Sequence, residues 1–455
     1  MRVHVRSLLT AVLAVAAFLV LPPAQPQTPI ASAATGDAVL TWSQNAGAAA
    51  TAACLTPPPG DPFHESRMYA IMHIAIHDAL NSIDRRSQPY VFDGPRQPNA
   101  SPDAAVAAAA RTVLVALISQ LPSPELMPPS CIAAGQALVE ADYAAALGAI
   151  PDGQAKTQGV TLGESAARAI LANRATDGAV GPFLNFDCPT NTAPGQYQCT
   201  PGTPYIVFEG WANVTPFVLA DNSQFRPAPP YSLTSDKYAA DFNEVKSLGG
   251  DGVTTPSQRT PDQTQIALFW VENSPLKWNR IARTVAARQG LDLWENARLF
   301  GLLNVALADG YIAMVATKNH YDFWRPITAI RNGYADGNPD TTGDPNWTPL
   351  RGTPADQDYA SGHAIEGGAG AEVLKQFFGT DQIRFQDCST SLDTGNCGDP
   401  SPVLRAYSTF SQAANENALS RILVGFHFRK SVEEGTEYGR HIGQGATNLY
   451  FRPVR

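Results

Sequence analysis

Apolar residues recur at helical spacing along almost the whole chain, whereas the alternating polar and apolar runs that a half-buried strand needs are scarce. The pattern predicts an all-α body built as one or more helical bundles. Helices are expected over 65–83, 102–120, 131–147, 161–176, 235–248, 261–269, 278–289, 291–317, 362–378, 408–423 and 431–446. Between them lie Pro/Gly/Asn-rich loops, the longest at 183–230 and 333–358. Loops of that length in a compact body are either stapled or functional. No repeat of fixed period runs through the 455 residues, which argues against a solenoid. The expected organisation is an N-terminal helical half over 34–180, a loop-rich connection over 181–260, and a C-terminal helical half over 261–455 that carries the chemistry.

Ahead of these stand Arg2 and Arg6, an apolar run over 8–21, and the small residues Ala31, Ser32, Ala33 and Ala34. A charged start, an apolar core and a small-residue cleavage site make an export signal, expected over 1–33. The run is shorter than the roughly 20 residues that span a bilayer, and Pro22 and Pro23 interrupt it. A secreted, extracellular protein without a membrane segment is expected. Loss of the signal removes two positive charges and no acid, taking the formal charge from -9 to -11. An acidic chain lacks the surplus Lys and Arg that a polyphosphate backbone requires, so no nucleic-acid partner is expected.

The six cysteines are an even set in an exported chain, with no close CxxC pair of the metal-binding kind. Disulfides are the natural reading. Cys188 with Cys199 and Cys388 with Cys397 close short polar loops, which leaves Cys54 to pair with Cys131.

Three short blocks in the C-terminal half carry chemistry. Lys318 falls near the end of a long apolar helix pattern, and Arg325 follows on a turn held by Pro326. Lys supplies a compact charge and Arg a planar fork, two complementary ways to hold an oxyanion. Next comes Ser361-Gly362-His363, where Ser361 reads as an N-cap and the Gly362 N–H as a free donor at a helix start. The third block is Ser420-Arg421 with His427 six residues beyond Arg421. On one straight helix those two side chains would project about 120° apart, so they converge only if the helix ends near Gly425. Together the blocks supply three cations, a hydroxyl, a backbone donor and two histidines. Such a set neutralises a tetrahedral oxyanion and leaves groups that can move protons or bond its central atom.

The order Lys-x6-Arg-Pro, Ser-Gly-His, Ser-Arg-x5-His resembles the superfamily that joins type 2 phosphatidic-acid phosphatases (PAP2) and bacterial acid phosphatases to the vanadium-dependent haloperoxidases. The stretches 67–79 and 224–227 look like the secreted bacterial haloperoxidase branch. The resemblance implies the helical-bundle fold of that superfamily, with vanadate (orthovanadate) as cofactor. His427 would be the axial ligand to the metal, or the nucleophile of a phosphatase. Lys318, Arg325, Ser361, Gly362 and Arg421 would hold the equatorial oxygens, and His363 would be the acid–base group. Two positions depart from the pattern. Asp356 stands where haloperoxidases carry an aromatic or His residue, and a carboxylate there repels halide unless it turns away. Ser431 stands where phosphatases carry the Asp that orients the histidine.

The reading that follows is a peroxidase taking hydrogen peroxide, halide and an organic acceptor. A phosphomonoester phosphatase working through a phosphohistidine is the second reading, and a non-catalytic oxyanion-binding protein the third. Elsewhere, His73 and His77 lie four apart among apolar residues and read as structural rather than as a metal pair. His320 reads as a packing residue, and Phe323, Trp324 and Tyr359 as pocket walls. Asp309, inside an apolar helix pattern, needs a partner, for which a site cation or His363 is proposed.

Overall fold

The computed structural model describes residues 36–56, 60–122, 127–179, 181, 183–190 and 192–454. The export signal expected over 1–33 lies outside the described residues. Helices dominate. In the first part of the chain they are α1 (Ala38–Ala52), α2 (Pro62–Ile83), α3 (Pro102–Ile118), α4 (Pro129–Gly148) and α5 (Gln154–Asn173). The second part holds α6 (Asp236–Leu248), α7 (Pro261–Phe269), α8 (Ser274–Gln289), α9 (Leu293–Tyr321), α10 (Pro326–Arg331), α11 (Gly362–Phe378), α12 (Phe410–Leu423) and α13 (Arg429–Leu449). Most starts obey local rules. Asp61 and Ser101 accept amides at the N-termini of α2 and α3, each ahead of a Pro in the first turn. α7 and α9 begin with capping boxes, Thr260 with Gln263 and Asp292 with Glu295.

The central element is α9. It is long and apolar enough to cross a membrane, but its apolar stretch is wholly buried inside the protein, packed by α2, α11 and α13. Asp309 on this helix finds neither a site cation nor His363, contrary to the sequence expectation. It turns to the 214–219 segment and accepts the amides of Phe217, Val218 and Leu219 at 2.6–2.8 Å. Three backbone donors compensate the buried carboxylate without a cation from the site.

α11 and α13 cross at backbone distance. A Cβ on Gly439 would come within 1.9 Å of the Ile365 carbonyl oxygen, and one on Gly368 within 2.1 Å of that of Thr436. Glycine at both contact points is what lets the two helices touch.

Two small hairpins accompany the helices: β1 (Leu184–Asn185) with β2 (Ile206–Val207), and β3 (Phe385–Asp387) with β4 (Arg405–Tyr407). Each encloses a disulfide, Cys188–Cys199 or Cys388–Cys397, and the third bridge joins Cys54 to Cys131. All three pairs are those expected. Cα separations of 5.2–5.7 Å sit within the range a disulfide spans. Among the described residues no group of three His, Cys, Asp or Glu side chains is placed to hold a metal ion. His77 bonds Asp78 at 2.9 Å and Ser87 at 2.7 Å, and His73 stacks on Phe300, both structural roles.

Candidate active site

The three sequence blocks meet at one cavity of about 540 Å³. α9 delivers Lys318 in its last turn and is ended by Asp322 in the left-handed conformation. The chain reverses there, and Arg325 becomes the N-cap of α10, with Pro326 setting the first helical residue. Both cations thereby reach the same cavity. α12 ends at Leu423, and Gly425 at φ 87° turns the chain, so that the amides of Phe426 and His427 both bond the Arg421 carbonyl. The helix end that convergence of Arg421 and His427 demands is therefore present. Gly362 and His363 open α11 and line the cavity.

Ser361 is the N-cap residue of α11, yet its hydroxyl caps nothing. It lies directly behind Gly362, fully buried, and Oγ has no protein partner. Arg421 is similarly half-committed. Its Nη1 donates to the Trp270 carbonyl at 2.8 Å, while Nε and Nη2, also buried, bond nothing. Orphan donors of this kind cost about 1–3 kcal/mol each unless a ligand takes them. Burial, with Arg325 nearby, lowers Arg421 to about 9, and burial lowers Lys318 to about 8 against the opposing pull of Asp356.

The two histidines are bonded differently. His427 Nδ1 lies 2.9 Å from Asp358 Oδ1 and 3.3 Å from Ser431 Oγ, and its Nε2 lies 2.9 Å from Arg325 Nη1. A guanidinium only donates, so Nε2 must carry the lone pair and Nδ1 the proton, which Asp358 accepts. His363 presents Nε2 to the Glu272 carbonyl at 3.2 Å. A carbonyl only accepts, so here Nε2 carries the proton and Nδ1 is the free base. Burial holds both rings well below the ordinary histidine value, with Arg325 adding to the effect at His427 and Arg421 at His363. Burial raises Asp358 to about 7 while Arg325 and Lys318 pull it down. The Arg325 contact on the far side of the ring favours the ionised carboxylate.

Sequence reasoning missed Asp358. The orienting carboxylate was sought four residues after His427, where Ser431 stands, but it arrives from the loop before α11, a long-range contact that no local spacing encodes. Ser431 instead donates to the Asp358 carbonyl at 2.9 Å. The expected aromatic walls are corrected too. Trp324 and Tyr359 are core residues, Phe323 packs on Phe428, and His320 is exposed at the end of α9. The cavity walls are Phe63, Phe208, Tyr311, Met314 and Phe426.

The sequence model of the VCPO second helical-bundle domain matches residues 298–455, the stretch that carries all the site cations and both histidines. Over this stretch the chain is similar to the vanadium chloroperoxidase helical-bundle family. The vanadium chloroperoxidase of Curvularia inaequalis is 25% identical over 278 residues, 48% of this chain. The match spans less than half of that relative, 45% of its length. A bacterial vanadium-dependent iodoperoxidase superposes with a TM-score of 0.74 at 22% identity, covering 95% of this chain and 100% of its own. A holo-type bacterial vanadium-dependent chloroperoxidase gives 0.67 at 18% identity over 89% of this chain and 95% of its own. The described residues thus have the all-α vanadium haloperoxidase fold.

The group implied by the vanadium haloperoxidase family is a tetrahedral oxyanion, and the donors here suit one. Arg421 keeps two uncommitted nitrogens, Nε and Nη2, the Ser361 hydroxyl is unbonded, and His427 offers a lone pair at Nε2 beside Arg325. A Cβ on Gly362 would lie 2.3 Å from the Met314 sulfur, so any larger residue there would require the Met314 side chain to shift. The start of α11 is thereby kept tight against α9.

Proposed function

We propose that this protein is a vanadate-dependent haloperoxidase that uses hydrogen peroxide to oxidise halide and so halogenates an organic acceptor, acting outside the cell after export. The observation that carries the reading is the convergence of Lys318, Arg325, Arg421, Gly362, His363 and His427 on one cavity, with opposite tautomers on the two rings. Lys318, Arg325 and Arg421, with the Ser361 hydroxyl and the Gly362 N–H, would hold the oxygens of vanadate, and His427 Nε2 would meet the metal. Vanadate, when bound, supplies a Lewis-acid centre that stays at one oxidation state and activates peroxide toward halide. Asp358 fixes the His427 tautomer and raises its basicity, as carboxylates do behind ligating imidazoles. His363, unprotonated at Nδ1 and bordering the cavity, takes the proton from incoming peroxide and returns one to the product. The apolar walls exclude water from these charges.

The Asp358–His427 pair supports a second reading, since an imidazole backed by a carboxylate also suits nucleophilic attack on a phosphomonoester. The test is vanadium analysis of the purified protein, with bromide-dependent peroxide consumption assayed before and after added orthovanadate. Activity that rises with orthovanadate to one equivalent per chain supports the haloperoxidase. Phosphomonoester hydrolysis without bromide oxidation moves the assignment to a phosphatase, and anion binding with neither activity moves it to an oxyanion-binding protein.

A further inference from the structure

Asp356 stands inside the cavity on the cations that an oxyanion needs. One carboxylate oxygen lies 3.1 Å from Lys318 Nζ, the other accepts from Arg325 Nη2, and the Asp356 main-chain carbonyl accepts Arg325 Nε at 2.7 Å. The other side-chain nitrogens of these two cations are engaged as well. Lys318 also donates to the Gln357 carbonyl, and Arg325 Nη1 serves the Phe426 carbonyl at 3.0 Å and His427 Nε2. Of the three cations, only Arg421 has buried side-chain nitrogens with no protein partner. An anion entering the cavity therefore meets one uncommitted cation and two that already share a negative charge.

We infer that Asp356 is a resident counterion that selects the charge of the bound oxyanion, weakening capture of any oxyanion and disfavouring a dianion more than a monoanion. The inference rests on the oxyanion reading above. The physics is Coulombic. Two unit charges a few ångströms apart at an effective dielectric near 20 repel strongly, and a dianion feels twice the penalty of a monoanion. In weakly alkaline solution inorganic phosphate is mostly the dianion while orthovanadate is still largely the monoanion. The carboxylate thus tilts the cavity toward vanadate and away from phosphate, although the two have the same shape.

Asp356→Asn preserves size and a hydrogen-bonding oxygen while removing the charge, and Asp356→Ser is a second variant should the first fail to fold. Isothermal titration calorimetry of the metal-free protein at weakly alkaline pH, with inorganic phosphate and separately with micromolar orthovanadate, reads the effect directly. Neutralisation should tighten phosphate by roughly tenfold or more and orthovanadate by a smaller factor, narrowing the preference between them. Unchanged or weaker binding of both anions in a folded variant would overturn the inference, leaving Asp356 as a brace for Lys318 and Arg325. If the unmodified protein binds neither anion, the oxyanion reading itself fails, and the counterion with it.

Discussion

His363 and His427 share a cavity and a side-chain type, but their hydrogen bonds place the proton on different faces of the ring. On the proposed reading His427→Ala removes the lone pair at Nε2 that would bond the central atom, so orthovanadate capture and turnover are expected to vanish together. His363→Ala leaves the three cations in place, so orthovanadate still binds while turnover drops by roughly 100-fold or more. Calorimetry on both variants beside peroxide assays checks the split, and equal, small losses would mean that neither ring does chemistry. Asp358→Asn keeps the bulk behind His427 but can present an amide N–H to Nδ1, which favours the wrong tautomer. It is expected to cost roughly 10- to 100-fold in orthovanadate affinity, and a variant that binds like the parent would strip Asp358 of its orienting role. At this scale the sequence was informative wherever chemistry is local. Lys318 with Arg325, Ser361 with His363, and Arg421 with His427 each sit within a few residues of one another, so their spacing could be read. Asp358 sits three residues before Ser361, but its bond to His427 spans 69 residues, and the walls Phe63 and Phe208 lie still farther from the blocks in sequence, so the pairing of Asp358 and the identity of the walls could not be read from spacing.

Among the elements, α11 matters most, because its first residues line the site while its middle lies against α13 with only glycine between the backbones. Gly439→Ala places a methyl where the Ile365 carbonyl is, so the helices must part. Overpacking of this kind costs about 1–3 kcal/mol, and tilting α11 should also lower orthovanadate affinity. Denaturant unfolding and calorimetry together check it, and an unperturbed midpoint would show that the crossing can relax. Glu366, farther along α11, is buried with neither oxygen bonded, and burial holds its carboxyl well above the ordinary glutamate value. A carboxyl with a raised folded-state pKa stabilises fully below its unfolded value, and that contribution is lost as pH rises through the folded value. Glu366→Gln is neutral throughout, so thermal melting should show it gaining on the parent as pH rises above the ordinary glutamate range. Parallel melting curves above that range would mean that Glu366 has found a partner. Helix periodicity located most of the long elements within a few residues, because burial of one face is written at every turn. It missed α1, whose Ala-rich sequence has little polar contrast, and α10, whose six residues are too few to show a period. α5 begins earlier than expected because its first turns are polar and half exposed.

For the whole molecule, the site joins distant stretches of chain: Phe63 on α2 and Phe208 wall the cavity, while the cations arrive on α9, α10 and α12. A ligand that gathers donors from so many elements is bound by the folded chain and by no unfolded one. Its free energy therefore adds to folding as RT ln(1 + [L]/Kd), about 2.7 kcal/mol at a hundredfold excess over Kd. Unfolding entropy grows with length at about 2.1 cal/mol/K per residue, so in a chain of 455 residues that gain moves the melting temperature by about 3 °C. Orthovanadate is accordingly expected to raise the midpoint by a few degrees, in a concentration-dependent manner that extrapolates to the calorimetric Kd. His427→Ala should abolish the shift, since it removes the lone pair that would meet the central atom without disturbing the three disulfides or the core. Differential scanning fluorimetry over a range of orthovanadate concentrations measures both. A shift of equal size in the His427 variant would place the bound anion elsewhere on the protein, and the shared cavity would lose its claim to be the oxyanion site.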